Sequence, residues 1–520
     1  MSSENEEYVD WRGKKMDPKR HGGIRVAALA CVVEVLENMV FLCNASNFVA
    51  YFLKSMHYSA AESSNMVTNF MGTSFLLTIV GGFICDSYLT AFTTFIFSCI
   101  LELLGLILLT IQAENPNLRP GMNTGPSEYQ AAILYIGLYA MASGVGGIKA
   151  SLPTHGADQL DRGNQRLISA FFNWFFFSLV MGGMIASTVM IWVEENKGWN
   201  WSFKISIVVL ILALLIFTIG GPFYRNKIPG GSPLTRIFQI LASAIKNRKA
   251  SAPERQLEQT SSHSNPKRDG KYHFKFLDKA LIDGSINSVE VEETRTFLGL
   301  LPIFGSTIMM NCCLAQLQTF SVVQGSIMNK ALHGFQIPTQ SLVVIPQLIM
   351  LASVPFYERF VRVLGDTQPQ TTKFFHPLRR IGLGLALASA SMAIAAVVEV
   401  KRRGAAENHV TLSVFWLLWQ YLLLSFSDFL TLGGMFEFFY SEAPNSMRSM
   451  STALSWCSTS MGFFLSSVLV SITNSVTARL GHEWLGGVDL NHSRLELFYT
   501  LLCILNFINL INYIFWAKRY

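Results

Sequence analysis

The sequence predicts an all-α membrane protein with twelve transmembrane helices in two six-helix halves. Three observations carry this expectation. Of the 520 residues, 51 % are hydrophobic and only 14 % are charged, whereas a water-facing surface needs roughly a quarter of a chain's residues charged. Lipid is therefore the expected solvent. Twelve stretches are long and apolar enough to cross a hydrocarbon core of about 30 Å, which takes on the order of 20 residues of helix. One long polar stretch divides them six and six.

The first half has its spans near 25–53, 64–88, 92–113, 131–152, 169–193 and 202–223. The second half has them near 296–323, 338–360, 378–400, 411–440, 448–473 and 494–517. Those at 25–53 and 411–440 exceed the minimum length and should tilt or protrude. Residues 1–24 are polar and carry both signs of charge, with no early apolar core or small-residue cleavage site. The first apolar segment is thus expected to remain as a membrane helix.

Residues 224–295 are rich in Ser, Pro, Lys and Arg and read as a cytoplasmic linker. Lys14, Lys15, Lys19, Arg20 and Arg25 fall on the linker's side, as do Arg359, Arg362, Lys373, Arg379 and Arg380 between spans eight and nine. Positive residues favour the cytoplasmic face, so both termini are expected there. Lys401, Arg402 and Arg403 fall outside on this count, against the bias. Asn491, in an Asn-His-Ser triplet between spans eleven and twelve, also falls outside, where a glycosylation acceptor belongs.

Six spans, a polar loop and six more spans is the layout of the major facilitator fold, whose halves rock about a midplane site and open it to one side at a time. Secondary transport is the function this layout predicts. Membrane enzymes place His or Asp clusters near a membrane face, and channels line a pore with repeated polar rings; the sequence shows neither pattern. The eight cysteines are scattered without a CxxC pair, and adjacent Cys312 and Cys313 read as packing residues. No metal, disulfide or cofactor is expected. The net charge of +6, without a basic patch on a soluble module, gives no case for nucleic acid.

An ionisable group at bilayer depth costs several kcal/mol unless paired or hydrated, so each one is a functional candidate. Glu34 and Glu37, three residues apart in the first span, share a helix face. Asn38, Asn44 and Asn47 add polarity to the same helix. The carboxylates either hold the fold through buried cations or form a proton site, since two like charges resist ionising together. Lys149 follows the glycine-rich GVGGI of the fourth span, which lets another helix approach closely. It can pair with a glutamate, attract an anionic substrate or snorkel to the interface.

Asp428 lies well inside the tenth span and is the candidate ion partner of the second half, while Glu437, nearer the end, reads as structural. Gln316 and Trp456 fit a cavity position as well as a packing one. The FFNWFFF stripe at 171–177 reads as packing and lipid contact. His155 is expected in a loop beyond Lys149, without a proton role.

The chain resembles the plant nitrate/peptide transporter family within the proton-coupled oligopeptide transporters. The resemblance rests on TNFMGTSFLL…GGFICDSY at 68–88, GVGGIKASL at 144–152, HGADQLD at 155–161 and YRNKIPGGSPLT at 224–235. It continues through FKFLDKA at 274–280, AQLQTFSV at 315–322, PFYER at 355–359, PLRRIG at 377–382 and EAPNSMRS at 442–449. It implies transport driven by the proton gradient, with Glu34, Glu37 and Lys149 as proton-coupling residues, to which Asp428 is added on its position inside the tenth span.

The departures bear on substrate. The family's first-helix ExxER is met by Glu34 and Glu37, but Asn38 stands in place of the arginine, and Phe41 and Leu42 hold the aromatic positions. Lys149 is then the one obvious cation facing two carboxylates. Nitrate-transporting relatives carry a histidine where this chain has Leu314, and a leucine cannot donate a hydrogen bond to nitrate. EVLEN…NASN with NCCLAQL and SDFLTLGG is most similar to the subfamily that imports abscisic acid and some gibberellins. The resemblance thus implies a plasma-membrane importer of a carboxylate hormone. Lys149 would meet the carboxylate, and Asn38, Leu314, Gln316 and Trp456 would line the site. Low-affinity nitrate transport through Lys149 is one alternative. A ligand-sensing receptor on a carrier fold is another. The expected partners are protons, a small organic anion or nitrate, and the bilayer.

Overall fold

In lipid, each backbone N–H and C=O must find a partner within its own segment, which leaves an apolar stretch little choice but a helix. The computed structural model describes residues 8–17, 20–58, 60–121, 125–248, 274–283, 286–332, 335–336, 344–367, 376–481, 484–485 and 493–520. Among these, twelve helices are long and apolar enough to cross a membrane. They are α1 (Ile24–Lys54), α2 (Asn65–Ser87), α3 (Ala91–Glu114), α4 (Glu128–Asp158), α5 (Gln165–Glu194) and α6 (Asn200–Phe223). Then come α7 (Ser288–Gln316), α8 (Val344–Val361), α9 (Pro377–Glu407), α10 (Val414–Glu442), α11 (Asn445–Arg479) and α12 (Leu495–Arg519).

Within the first six, α1 packs on α4, α5 and α6, and α3 on α4. Within the last six, α9 packs on α10 and α12, and α7 on α11 and α12. Across the seam, α11 lies against α2 and α4, while α5 lies against α8 and α10. An even number of crossings puts both chain ends on one side, called here the terminal end.

The glycines of α4 set how closely α3 approaches. A Cβ on Gly144 would fall 2.5 Å from the Cβ of Glu102, and one on Gly147 would fall 2.0 Å from Ser98 Oγ. No larger residue fits at either position without moving α3.

Several helices differ from their expected limits for identifiable reasons. Helix α7 starts at Ser288, two turns ahead of residue 296, because Asn287 and Glu290 form a capping box. Helix α9 runs on to Glu407, so Lys401, Arg402 and Arg403 are helical. Arg402 makes paired contacts of 2.8 and 2.7 Å to Glu399 on the same helix, and Arg403 pairs with Glu496 of α12. Lys401 lies 4.4 Å over the ring of Trp416. The basic run that ran against the charge bias is thus engaged locally, two of its members by carboxylates.

The polar linker contains an amphipathic helix, Pro233–Lys246, capped by Ser232. Its Ile240 and Ala244 meet Leu277, Ala280, Leu281 and Val291 in a small core separate from the main one. The segment Tyr8–Val9 pairs antiparallel with Asn226–Lys227.

Candidate transport site

Helix periodicity places Glu34, Glu37 and Asn38 on one face of α1, and the close α3–α4 packing holds Lys149 opposite them. Lys149 Nζ donates to Glu34 Oε1 at 2.7 Å, to Glu37 Oε2 at 2.5 Å and to Asn38 Oδ1 at 2.9 Å. An ammonium has three N–H bonds, so its donors are all used. Lys149 is 1 % exposed and both glutamates are fully buried. Their other oxygens, Glu34 Oε2 and Glu37 Oε1, have no hydrogen-bond partner among the described residues. Asn38 is fixed in turn by its Nδ2, which donates to the Leu179 carbonyl at 2.7 Å. Of the alternatives for Lys149, ion pairing is the one observed.

Pro153 lies inside α4, four residues after Lys149. It lacks the N–H that would bond the Lys149 carbonyl in a regular helix, yet α4 continues to Asp158. His155 is therefore helical rather than in a loop. Its ring meets Tyr224 edge-on at 4.5 Å and Phe217 at 5.1 Å.

Aromatic rings from both halves close over the cluster. Lys149 Nζ lies 5.3 Å from the ring of Trp456 and 6.0 Å from that of Phe41. Trp456 also meets Phe436 of α10 at 5.5 Å, and Phe41 meets Phe75 of α2 at 5.5 Å. The indole Nε1 of Trp456 is buried without a partner among the described residues.

Polar contacts join the halves at the terminal end. Asp158 accepts from Tyr440 at 2.7 Å and from Tyr8 at 3.4 Å, with Arg162 and Arg448 flanking it at 4.0 and 3.8 Å. Burial and the Asp158 carboxylate push the Tyr8 hydroxyl above its ordinary pKa, so it stays protonated and donates. Asp86 accepts the backbone N–H groups of Ser449 at 3.1 Å and Met450 at 2.8 Å near the start of α11, where a helix dipole favours an anion. Arg380 bonds Asn173 at 2.6 Å and Glu437 at 3.2 Å, and Glu437 also accepts from Ser169 at 2.8 Å. A cavity of about 690 Å³ lies beside this group, with Arg166, Glu358 and His376 in its wall. At the opposite end Ser187 of α5 donates to Gln347 of α8 at 2.7 Å. Lys149, Glu34 and Glu37 are at most 1 % exposed, so the cluster is shut off from solvent in this conformation.

Of the residues singled out in the sequence, the structure brings together Glu34, Glu37, Asn38, Lys149 and Trp456. The others lie elsewhere. Gln316 sits in the α7–α11 seam and donates to Ser466 at 2.8 Å. Leu314 is half-buried against the main core. Asp428 is buried in α10, without an ion pair and with Oδ1 unbonded among the described residues. Asn491 lies outside the described residues. In the aromatic stripe, Phe171, Phe172, Phe175 and Phe176 are buried and Trp174 is exposed.

Two features escaped the sequence reading. One is Glu102, fully buried in α3; a lone acid inside an apolar span was the signal that could have found it. The other is the Arg380–Asn173–Glu437 bridge between halves, for which a single sequence carries no pairing signal.

Comparison with known proteins agrees with this architecture. The POT family model matches residues 92–485. Protein NRT1/PTR FAMILY 4.2 of Arabidopsis thaliana is 58 % identical over 517 residues, covering 99 % of each chain. Protein NRT1/PTR FAMILY 4.1 of the same plant is 55 % identical over 517 residues, again covering 99 % of each. The fold matches that of an auto-inhibited POT family peptide transporter with a TM-score of 0.66 at 19 % identity, covering 96 % of this chain and 97 % of the other. It matches the POT family transporter PepTSo with a TM-score of 0.64 at 19 % identity, covering 95 % and 98 %.

Proposed function

The chain belongs to the POT family, as one of its plant NRT1/PTR members and hence a transporter driven by the proton gradient rather than an enzyme, and on that premise we propose that it imports a carboxylate plant hormone, abscisic acid or a gibberellin. The observation that carries this reading is the enclosed Lys149, held by Glu34, Glu37 and Asn38 beneath the ring of Trp456.

The cluster works as an exchange of partners. Lys149 cannot serve a substrate carboxylate while its three donors point at α1. Protonating Glu37 removes one negative charge and weakens its hold on the ammonium, and Lys149 turns to the incoming carboxylate. One proton then enters with each monovalent anion, and the charge of the site is unchanged. Trp456 Nε1–H supplies a second donor for a carboxylate or carbonyl oxygen. The organic body lies against Phe41, Phe75, Trp456 and Phe436, where burial contributes roughly 25 cal/mol per Å² of apolar area.

By the resemblance, Leu314 stands where nitrate-transporting relatives carry a histidine, which disfavours nitrate as the substrate. Asp428 carries the corresponding proton of the second half, and Gln316 supports the wall from the α7–α11 seam. The proposed membrane is the plasma membrane. The linker and both termini are cytoplasmic by the positive-inside bias, and Asn491 is external.

Uptake of labelled abscisic acid by expressing oocytes, at acidic and neutral pH, tests this reading, with gibberellin and nitrate as unlabelled competitors. Saturable uptake above that of non-expressing cells, blocked by unlabelled abscisic acid and insensitive to nitrate, is the expected result. No such uptake despite confirmed surface expression overturns the hormone assignment. Nitrate currents from the same cells would replace it with nitrate transport.

A further inference from the structure

Glu102 lies in the interior of α3 with no accessible surface, and neither of its carboxyl oxygens has a hydrogen-bond partner among the described residues. Its place is fixed by the α3–α4 contact, where both the backbone nitrogen and the Cβ of Glu102 lie 2.5 Å from the position of a Cβ on Gly144. Lys149 follows Gly144 by little more than one turn of α4. Glu102 is thus packed against the stretch of α4 that carries Lys149, whose ammonium contacts Glu37. Cys99 is the other ionisable group beside it on α3 itself.

Other charged or titratable groups near α3 among the described residues lie at its ends, Tyr224 among them, its ring 5.8 Å from that of Phe92. Lys204 of α6 is at one end, paired with Glu114 at 2.5 Å. Asp86, His155 and Lys227 are at the terminal end, where the ring of His155 lies 6.3 Å from that of Phe92. None of these supplies a hydrogen bond to Glu102.

Charge balance decides its protonation. Among the described residues, the enclosure holds one cation, Lys149, and three carboxyl groups, Glu34, Glu37 and Glu102. Lys149 gives its three donors to Glu34, Glu37 and Asn38, leaving none for Glu102. An ionised carboxylate buried without a donor or a cation is strongly disfavoured and neutralises instead. Glu102, the one of the three without a donor, is therefore the first of them to carry a proton in this enclosed state.

We propose that Glu102 is a proton relay that feeds Glu37 during transport. This rests on the proton-coupled reading above and names the residue that delivers the proton. The O–H bond of Glu102 breaks as an O–H bond forms on Glu37, and the Lys149 ammonium so loosened turns to the substrate carboxylate. Glu102 then regains a proton drawn from the acidic side by the gradient. At the end of the exchange the site has gained one proton and one substrate anion. Its net charge is what it was before.

The test compares wild type, E102Q and E102D by two readouts. Infrared difference spectra of the purified proteins, acidic against alkaline buffer, need no substrate. A carboxylic-acid band is expected in wild type, smaller by one carboxyl in E102Q and displaced in its titration in E102D. Acid-driven uptake of labelled abscisic acid is expected to fall to the non-expressing level in E102Q and to persist with a shifted pH profile in E102D. An E102Q difference spectrum identical to wild type overturns the relay. So does an unchanged E102Q pH profile while wild type shows acid-driven uptake. Wild type without any acid-driven uptake would instead overturn the proton-coupled hormone reading, and the relay with it. Should E102Q not fold, E102D carries both readouts, and wild-type behaviour in each overturns the relay.

Discussion

Phe75 of α2 and Trp456 of α11 stack face to face across the seam between the halves, ring centroids 5.1 Å apart and planes inclined by 8°. The same indole lies over Lys149. A single side chain thus takes part both in closing the site and in covering its cation. The two roles separate by substitution. W456F keeps an apolar ring against Phe75 and removes the Nε1–H. Its KM for abscisic acid should rise roughly two- to tenfold, the worth of one hydrogen bond of about 0.5–1.5 kcal/mol, with the maximal rate near that of wild type. W456A also loses the stack and should fall to background. Concentration-dependent uptake normalised to surface protein measures both, and an unchanged KM in W456F would take the indole N–H out of substrate binding.

Lys149 is the only cation in contact with Glu34 and Glu37 among the described residues. K149A should abolish uptake while leaving surface expression intact, because the buried glutamates can accept protons in place of the lost ammonium. K149R is not a conservative rescue: a planar guanidinium cannot reproduce three contacts radiating from one nitrogen. It should also fail to restore uptake. Uptake by K149A at the wild-type rate would remove the lysine from the mechanism.

Protonation of Glu37 is the step that loosens Lys149, so wild-type uptake should rise as the external solution is acidified. Glutamine resembles the protonated carboxyl and cannot titrate. E37Q should therefore show a flattened pH dependence, with its neutral-pH rate no longer increased by acid. Neutral abscisic acid crosses lipid unaided at low pH, and uptake by non-expressing cells must be subtracted at each pH. A steep acid response surviving in E37Q would move the proton acceptor to another carboxyl.

The spans were legible because lipid imposes a length and an apolar composition that any reader can count, and α1 falls within a residue of its expected limits at each end. The Glu34–Glu37–Lys149 cluster was legible for a related reason: charges inside apolar helices must find one another. Helix ends were less so, because α7 and α9 extend past the apolar stretch on polar residues that caps and ion pairs support. His155 was misplaced in a loop, whereas α4 carries on through Pro153 to Asp158. Partners between helices were not legible at all. Nothing local to Gln316 distinguishes a bond to Ser466 from a place in the cavity, and nothing local to Arg380 points to Asn173 and Glu437.

The Arg380 bridge can be separated from the transport chemistry by its stability. Arg380 is 3 % exposed and lies between the rings of Tyr357 at 4.8 Å and Phe429 at 5.1 Å, with its contacts to Asn173 and Glu437 tying α9 to α5 and α10. Removing only the arginine strands the Glu437 carboxylate in a buried site, which costs about 3–5 kcal/mol. R380M should therefore unfold at a clearly lower temperature than wild type in detergent. Adding E437Q removes the stranded charge, and the R380M/E437Q protein should recover much of the loss, although it lacks the ion pair altogether. Thermal unfolding of wild type, the two single variants and the double variant forms a complete cycle. A double variant no more stable than R380M alone would mean that the contribution of Arg380 comes from its bond to Asn173 and its two rings rather than from neutralising Glu437.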